Sequence, residues 1–248
     1  MQKNTITNTL IFVAIIALVL FGFTYLNNDE ATEATNGDVA NEETMSQDFP
    51  EINSSNPVVT LRTNMGDITL ELYMDRTPIT AGNFLKLSKE GFYNQVKFHR
   101  VISNFMIQGG DPNTKSDDVN SYGRGGPDYT IEDEFDGELS NLRGTISMAN
   151  IGQPNSGGSQ FFINLVPNVM LDFDKQPLTS KHPVFGHVLS GMDVVDAIAA
   201  VPTEGQDRPI NPVLIQEVLV VREVGEAEED TLEAPEEEAV EEATEEEI

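Results

Sequence analysis

Asn64-Met65-Gly66-Asp67-Ile68-Thr69-Leu70-Glu71-Leu72-Tyr73 decides the architecture of this chain. Asn64 to Asp67 is a turn signal, and behind it Ile68, Leu70 and Leu72 alternate with Thr69, Glu71 and Tyr73. Successive side chains of a strand point to opposite faces, so this spacing predicts a half-buried strand. With the apolar run that begins at Val58 it forms a hairpin opening a β domain. Further strands are expected at Thr145 to Met148, Phe161 to Leu165, Val184 to Val188 and Val213 to Val221, separated by Gly, Pro and Asn turns. Two helices interrupt this pattern. Thr77 can cap the first, Pro78 suits its first position, Phe84, Leu85 and Leu87 form its apolar face, and Gly91 ends it. The second runs from about Met192 to Ala200, with Asp193 in its first turn, a stripe of Val194, Val195 and Ile198, and Pro202 beyond it. Many short strands with two helices predict a mainly β fold, a closed antiparallel barrel capped by the helices.

Outside that domain the texture changes. The chain has 248 residues and a formal net charge of −28, of which residues 58–222 carry only −7. Residues 1–57 carry another −7 and the last 26 residues −14, with no base among them. Residues 223–248 therefore read as an acidic disordered tail, and 27–57, rich in Asp, Glu, Asn, Thr and Ser, as a flexible acidic linker. Leu10 to Leu26 is 17 residues without a charge, at the lower end of what spans a hydrocarbon core of about 30 Å. No small-x-small cleavage site follows closely, so the segment is expected to be an uncleaved transmembrane anchor. Lys3 is its nearest basic residue and the far flank is acidic. The expectation is a short cytoplasmic N-terminus, residues 1–9, and a single-pass protein whose folded domain, 58–222, is monomeric and extracytoplasmic. The absence of a basic stripe argues against nucleic acid as a partner. With no cysteine, thiolate metal sites and a cysteine nucleophile are excluded.

Three runs could carry chemistry: Phe98-His99-Arg100-Val101-Ile102 with Phe105-Met106-Ile107-Gln108-Gly109-Gly110-Asp111; Ser147-Met148-Ala149-Asn150; and Gly157-Gly158-Ser159-Gln160-Phe161-Phe162. They combine aromatic and thioether surface with one arginine, amide side chains, and glycines that let a ligand backbone approach. That suits an apolar peptide better than a charged metabolite. No nucleophile elbow, zinc-protease motif or phosphate-binding loop occurs.

In order and in wording these runs resemble the cyclophilin family of peptidyl-prolyl cis-trans isomerases, and the resemblance covers about Val58 to Val221. It implies an eight-stranded antiparallel barrel with two helices, catalysis of rotation about X-Pro bonds in proline-containing polypeptides, and no cofactor or metal. It gives Arg100 the catalytic part, with Gln108 positioning it. Phe105, Met106, Phe162 and Leu171 become the proline pocket, while Ala149, Asn150 and Gln160 become the walls that hold the flanking peptide. Lys181-His182-Pro183-Val184-Phe185-Gly186 aligns with the family's Lys-His-x-x-Phe-Gly run and makes His182 the pocket histidine, although the loop from Asp172 to Ser180 is longer than usual. His99 and His187 are read as structural or surface histidines. Met170 stands where many members carry a tryptophan that donates to cyclosporin, and a thioether cannot donate. Pro112 to Tyr122 is longer and more polar than the family's usual turn. The implied role is assistance to folding of exported proteins; the competing role is a proline-peptide-binding chaperone module with little catalysis.

Overall fold

The structure, a computed structural model, describes residues 53–176, 178 and 181–223. The segment 1–9 expected to be cytoplasmic, the expected anchor 10–26, nearly all of the expected linker and the expected tail beyond Glu223 lie outside the described residues. Among the described residues no helix is long and apolar enough to cross a membrane.

Among the described residues eleven strands are present. The hairpin pairs β1 (Val58–Thr63) with β2 (Gly66–Leu72) in the register Val59↔Leu70 and Leu61↔Ile68, which puts all four side chains in the core. After helix α1 (Pro78–Lys89) come β3 (Val96–Lys97), β4 (Arg100–Ile102), β5 (Met106–Gly109), β6 (Thr145–Met148), β7 (Phe161–Asn164) and β8 (Val184–Ser190). Helix α2 (Met192–Ala199), a small β9 (Thr203–Glu204) and β10 (Arg208–Pro209) hairpin, and β11 (Leu214–Arg222) complete the order. Nine strands form one antiparallel sheet in the order β3-β11-β1-β2-β8-β6-β7-β5-β4.

This corrects the expected eight-stranded closed barrel. The sheet has nine strands, and its edges, β3 and β4, are not paired with each other. They are successive pieces of one chain segment, so the curled sheet meets itself through the chain instead of through a ladder. Phe98 N–H donates to Val213 O on one side, at 2.9 Å, and His99 N–H donates to Gln108 O on the other, at 3.0 Å. These two bonds continue the β3–β11 and β4–β5 pairings, while on the unpaired sides Lys97 N–H donates to Thr114 Oγ1 and Val101 N–H to Asp207 O, so the exposed edge donors are taken up.

The core inside the curl is aromatic. Phe84 stacks on Tyr93 with centroids 4.9 Å apart and meets Phe161 edge-on at 5.3 Å, geometries in which the ring quadrupoles attract. Helix α1 begins at Pro78 as expected, but Thr77 does not cap it with its side chain; that hydroxyl donates to Tyr73 O. The free N–H groups of Ile79 and Thr80 are taken instead by the Glu134 carboxylate, at 3.2 and 2.9 Å.

Residues just before β1 belong to this fold. Asn53 N–H and Asn56 Nδ2 both donate to Glu71 Oε1, and Arg222 donates to the carbonyls of Asn53 and Asn56. Composition places these residues in the linker; a buried carboxylate on β2 holds them against the sheet.

Candidate active site

Strand periodicity builds the site. On β4, β5, β6 and β7 the residues Val101, Ile107, Ile146, Met148, Phe161 and Ile163 enter the main core. Their neighbours in sequence must face outward. Register then aligns them: Arg100 stands opposite Gln108, Gln108 opposite Phe162, and Phe162 opposite Ser147. A second row runs Ile102, Met106, Asn164.

On this outer face a second apolar cluster forms, separate from the core. Met106, Phe162 and Leu171 are buried in it, with Ile102, Phe105 and Ala149 packed alongside. The four residues assigned to a proline pocket are therefore together, with Phe162 in the row of the arginine and Met106 in the adjacent one. Ala149, expected at a wall, touches the same cluster. Met170 does not join; it is exposed on the turn Val169–Leu171.

Amide groups line the next position. Gln108 Nε2 donates to Gln160 Oε1 at 3.1 Å, and Gln160 Nε2 donates to Gly125 O at 2.8 Å. Ala149 N–H donates to Gln160 O at 2.9 Å, and Asn150 Nδ2 to Lys181 O at 2.6 Å. Gly110, next to β5, has φ +87, and a Cβ there would lie 2.3 Å from Ser159 O, so only glycine fits where the strands converge. His182 Nδ1 lies 3.0 Å from Met148 O, and because a carbonyl only accepts, Nδ1 carries the proton. Its ring meets Phe162 edge-on at 5.2 Å. Burial holds the His182 pKa below its ordinary value, against the opposing pull of the Met148 carbonyl. His182 is thus a neutral wall of the pocket near neutral pH.

Two grooves flank Gln108. One, about 270 Å³, is lined by Gly125, Ala149, Asn150 and Gln160. The other, about 720 Å³, is lined by His99, Arg100, Tyr122, Arg124 and Asp207. The long segment after Pro112 makes two short 3-10 turns, Pro112–Lys115 and Val119–Ser121. The buried Asp111 carboxylate accepts from the N–H groups of Asn113, Gly123 and Arg124 and fixes where that segment returns to the groove. His99 and His187 are buried, which decides between the structural and surface readings. Burial lowers the His99 pKa in spite of nearby Asp111, and lowers that of His187 to about 4.

Sequence reasoning missed the polar network behind the pocket. Asn168 Nδ2 donates to Phe105 O and to Asn164 Oδ1, both at 2.8 Å. The Asp172 carboxylate accepts from Ser140 Oγ and from Asn141 N–H and Nδ2, while His182 N–H donates to Leu171 O. Phe105, Leu171 and His182 are held from behind by these groups. The signal that could have found it is Asn164, a polar residue ending the apolar run Phe161-Phe162-Ile163.

The model of the family described as "Cyclophilin type peptidyl-prolyl cis-trans isomerase/CLD" matches residues 58–220, well over half the chain. The chain belongs to the cyclophilin family. Peptidyl-prolyl cis-trans isomerase CYP18-2 of Arabidopsis thaliana is 43% identical over 171 residues, covering 67% of this chain and 95% of the relative. Peptidyl-prolyl cis-trans isomerase-like 2 of Gibberella zeae is 44% identical over 165 residues, 65% of this chain. This cyclophilin spans only about a quarter of that relative's length, 26%. A crystal structure of a Cryptosporidium parvum cyclophilin type peptidyl-prolyl cis-trans isomerase matches with TM-score 0.58 and 31% identity, covering 66% of this chain and 97% of that one. A second structure of that protein, in the presence of the dipeptide Ala-Pro, matches equally, with 32% identity and TM-score 0.58. This cyclophilin is accordingly a peptidyl-prolyl cis-trans isomerase.

Proposed function

We propose that this isomerase binds proline-containing segments of extracytoplasmic proteins at the outer face of β4, β5 and β7 and speeds their folding, from a single N-terminal membrane anchor at residues 10–26. The observation that carries the site is the second apolar cluster, Phe105, Met106, Phe162 and Leu171, in which Phe162 shares the strand row of Arg100 and Gln108 and Met106 sits in the adjacent row. A proline ring in that cluster brings its nitrogen toward the row that holds the guanidinium. Rotation about the X-Pro bond is opposed by amide resonance, and uncatalysed it takes tens to hundreds of seconds. A guanidinium donating to the prolyl nitrogen favours the pyramidal nitrogen of the twisted state, whose lone pair the planar ground state lacks. Gln108 and Gln160, already bonded to each other, offer amide groups to the peptide, and neutral His182 closes the pocket against Phe162. The dipeptide used with the Cryptosporidium relative fits this reading.

The test of the site is a protease-coupled isomerisation assay on the full chain in detergent. Turnover of X-Pro peptides is expected; tight binding without turnover would instead support the chaperone reading. The location rests on Lys3 and the acidic flank of the apolar segment. Protease added to spheroplasts should digest the isomerase domain, and full protection would overturn the proposed orientation.

A further inference from the structure

The turn after α2 is built at a conformational cost. Glu204 pairs with Arg208 across the β9–β10 hairpin, and Arg208 N–H donates to Gly205 O. Between them Gln206 has φ +50 and Asp207 φ +61, two successive side-chain-bearing residues in the left-handed region. Hairpin turns of this kind favour Asn-Gly, because a Cβ is strained there. Strain persists where the surroundings impose it, and it concentrates at functional sites. The surroundings here are β4. Asp207 O accepts from Val101 N–H at 2.8 Å, and Asp207 Oδ2 stands 3.5 Å from Arg100 Nε. One residue therefore grips both the backbone beside Arg100 and the Arg100 side chain. The ion pair within this hairpin does not reach Arg100: Arg208 pairs with Glu204. Among the described residues Asp207 is the one ionic partner of Arg100.

We infer that Asp207 is a positioning residue for the isomerase reaction: its carboxylate engages Nε of Arg100, and so orients the guanidinium with both Nη groups left for substrate. The inference rests on the assignment of Arg100 above. An unrestrained arginine has many rotamers, and the cost of fixing one of them at each turnover would fall on catalysis. An ion pair this exposed, with 42% and 47% of its side chains accessible, acts through orientation more than through energy of attraction.

The experiment measures full-chain kinetics for Asp207→Asn and Asp207→Gly. Asparagine keeps the size and tolerates a positive φ; glycine removes the strain. Both are expected to lower kcat about fivefold, the upper range for a half-exposed pair, with KM within about twofold. Asp207→Gly should hold or raise the unfolding temperature while losing activity, which separates positioning from a fold defect. In an Arg100→Ala background neither substitution should reduce kcat further, because the group being positioned is gone. The Arg100 15Nε–1Hε resonance should be ordered in the parent and averaged in Asp207→Asn. Gln206→Gly, which leaves the ion pair intact, should keep parental kinetics. Parental kcat in Asp207→Asn beside an inactive Arg100→Ala overturns this inference alone. An Arg100→Ala chain with parental activity overturns the site assignment and this inference with it.

Discussion

The outer face of the sheet carries two rows of side chains with opposite fates. On β4, β5, β7 and β6 the row Arg100, Gln108, Phe162, Ser147 opens onto grooves at Arg100 and Gln108 and is buried at Phe162 and Ser147; Arg100 keeps 42% of its side chain accessible. On β2, β8 and β6 the row Glu71, His187, Thr145 is closed, with Glu71 only 1% and His187 4% exposed. The same alternation sends both rows outward. Asn53 and Asn56 then bond to Glu71 at one place, while Arg100 is flanked by Asp207 and stays half exposed. Polar alternation alone therefore does not identify a site; what covers the row does. A covered row becomes a set of titratable groups kept from water, and an open one becomes a surface that a peptide can enter.

The largest expected effect tests the closed row. His187 has its pKa lowered to about 4 by burial, against an ordinary 6.5. Above pH 6.5 the ring is neutral in both folded and unfolded chains, and its contribution to stability is constant. As pH falls from 6.5 toward 4 the unfolded chain takes up the proton and the folded one does not, so stability is lost across that window and levels off below it. The loss is on the order of 3 kcal/mol. Urea midpoints between pH 7 and 4 should fall for the parent and less for His187→Gln. An identical fall in both would show that the closed row does not control acid stability.

Arg100→Ala probes the open row, with an effect nearly as large but on catalysis. If the guanidinium acts mainly in the transition state, kcat/KM falls at least about a hundredfold, some 2.7 kcal/mol, while peptide affinity changes little. The unfolding midpoint should stay within about 0.5 kcal/mol of the parent, because the side chain is half exposed. Lysine should not restore activity fully, since an ammonium lacks the planar donor fork. A catalytic arginine on the open row and an acid-labile histidine on the closed one would make the two rows separable by experiment.

How much of this is legible in the sequence follows from the range of each interaction. The strand and helix positions depend on neighbours two to four residues apart, and alternation reveals Ile68, Leu70 and Leu72 as core. Arg100, Gln108, Met106 and Phe162 are reached through motif wording, and register explains why such distant motifs meet. Thr77 looks like the cap of α1 because Glu134, which does the capping, lies more than fifty residues away in the chain. Composition extends the linker too far because Asn53 and Asn56 look like coil until Glu71 is seen opposite them. Asp207 leaves no signal, since Gln206-Asp207 lacks the glycine by which such a turn is recognised. The missing ladder between β3 and β4 likewise depends on Phe98 and His99 each bonding a different strand.

Asn56→Ala sharpens the comparison at its covered end. It removes one of two donors to Glu71 Oε1 and leaves a buried carboxylate less satisfied, at a cost of about 1.5 kcal/mol in unfolding free energy. Isomerase activity should be unchanged, because the closed row is not part of the peptide surface. Loss of activity at full stability would mean that the two rows communicate and that the division drawn between them is wrong.

The smallest effect is expected at Phe105, and it separates pocket from catalyst within the open row. Phe105 packs beside the Met106, Phe162 and Leu171 cluster, and its backbone is held independently, its carbonyl accepting from Asn168 Nδ2 and Leu165 N–H. Truncation to alanine should therefore remove ring surface without moving the strand. A proline ring uses that surface in the planar and in the twisted state alike, so its loss weakens both equally. With roughly 1 kcal/mol of apolar contact removed, KM should rise about fivefold while kcat stays within twofold. That pattern is opposite to the one expected of Arg100→Ala, where kcat carries the loss. If Phe105→Ala lowered kcat as strongly as Arg100→Ala does, the ring would be acting in the transition state, and a pocket that only binds beside an arginine that only catalyses would no longer describe the open row.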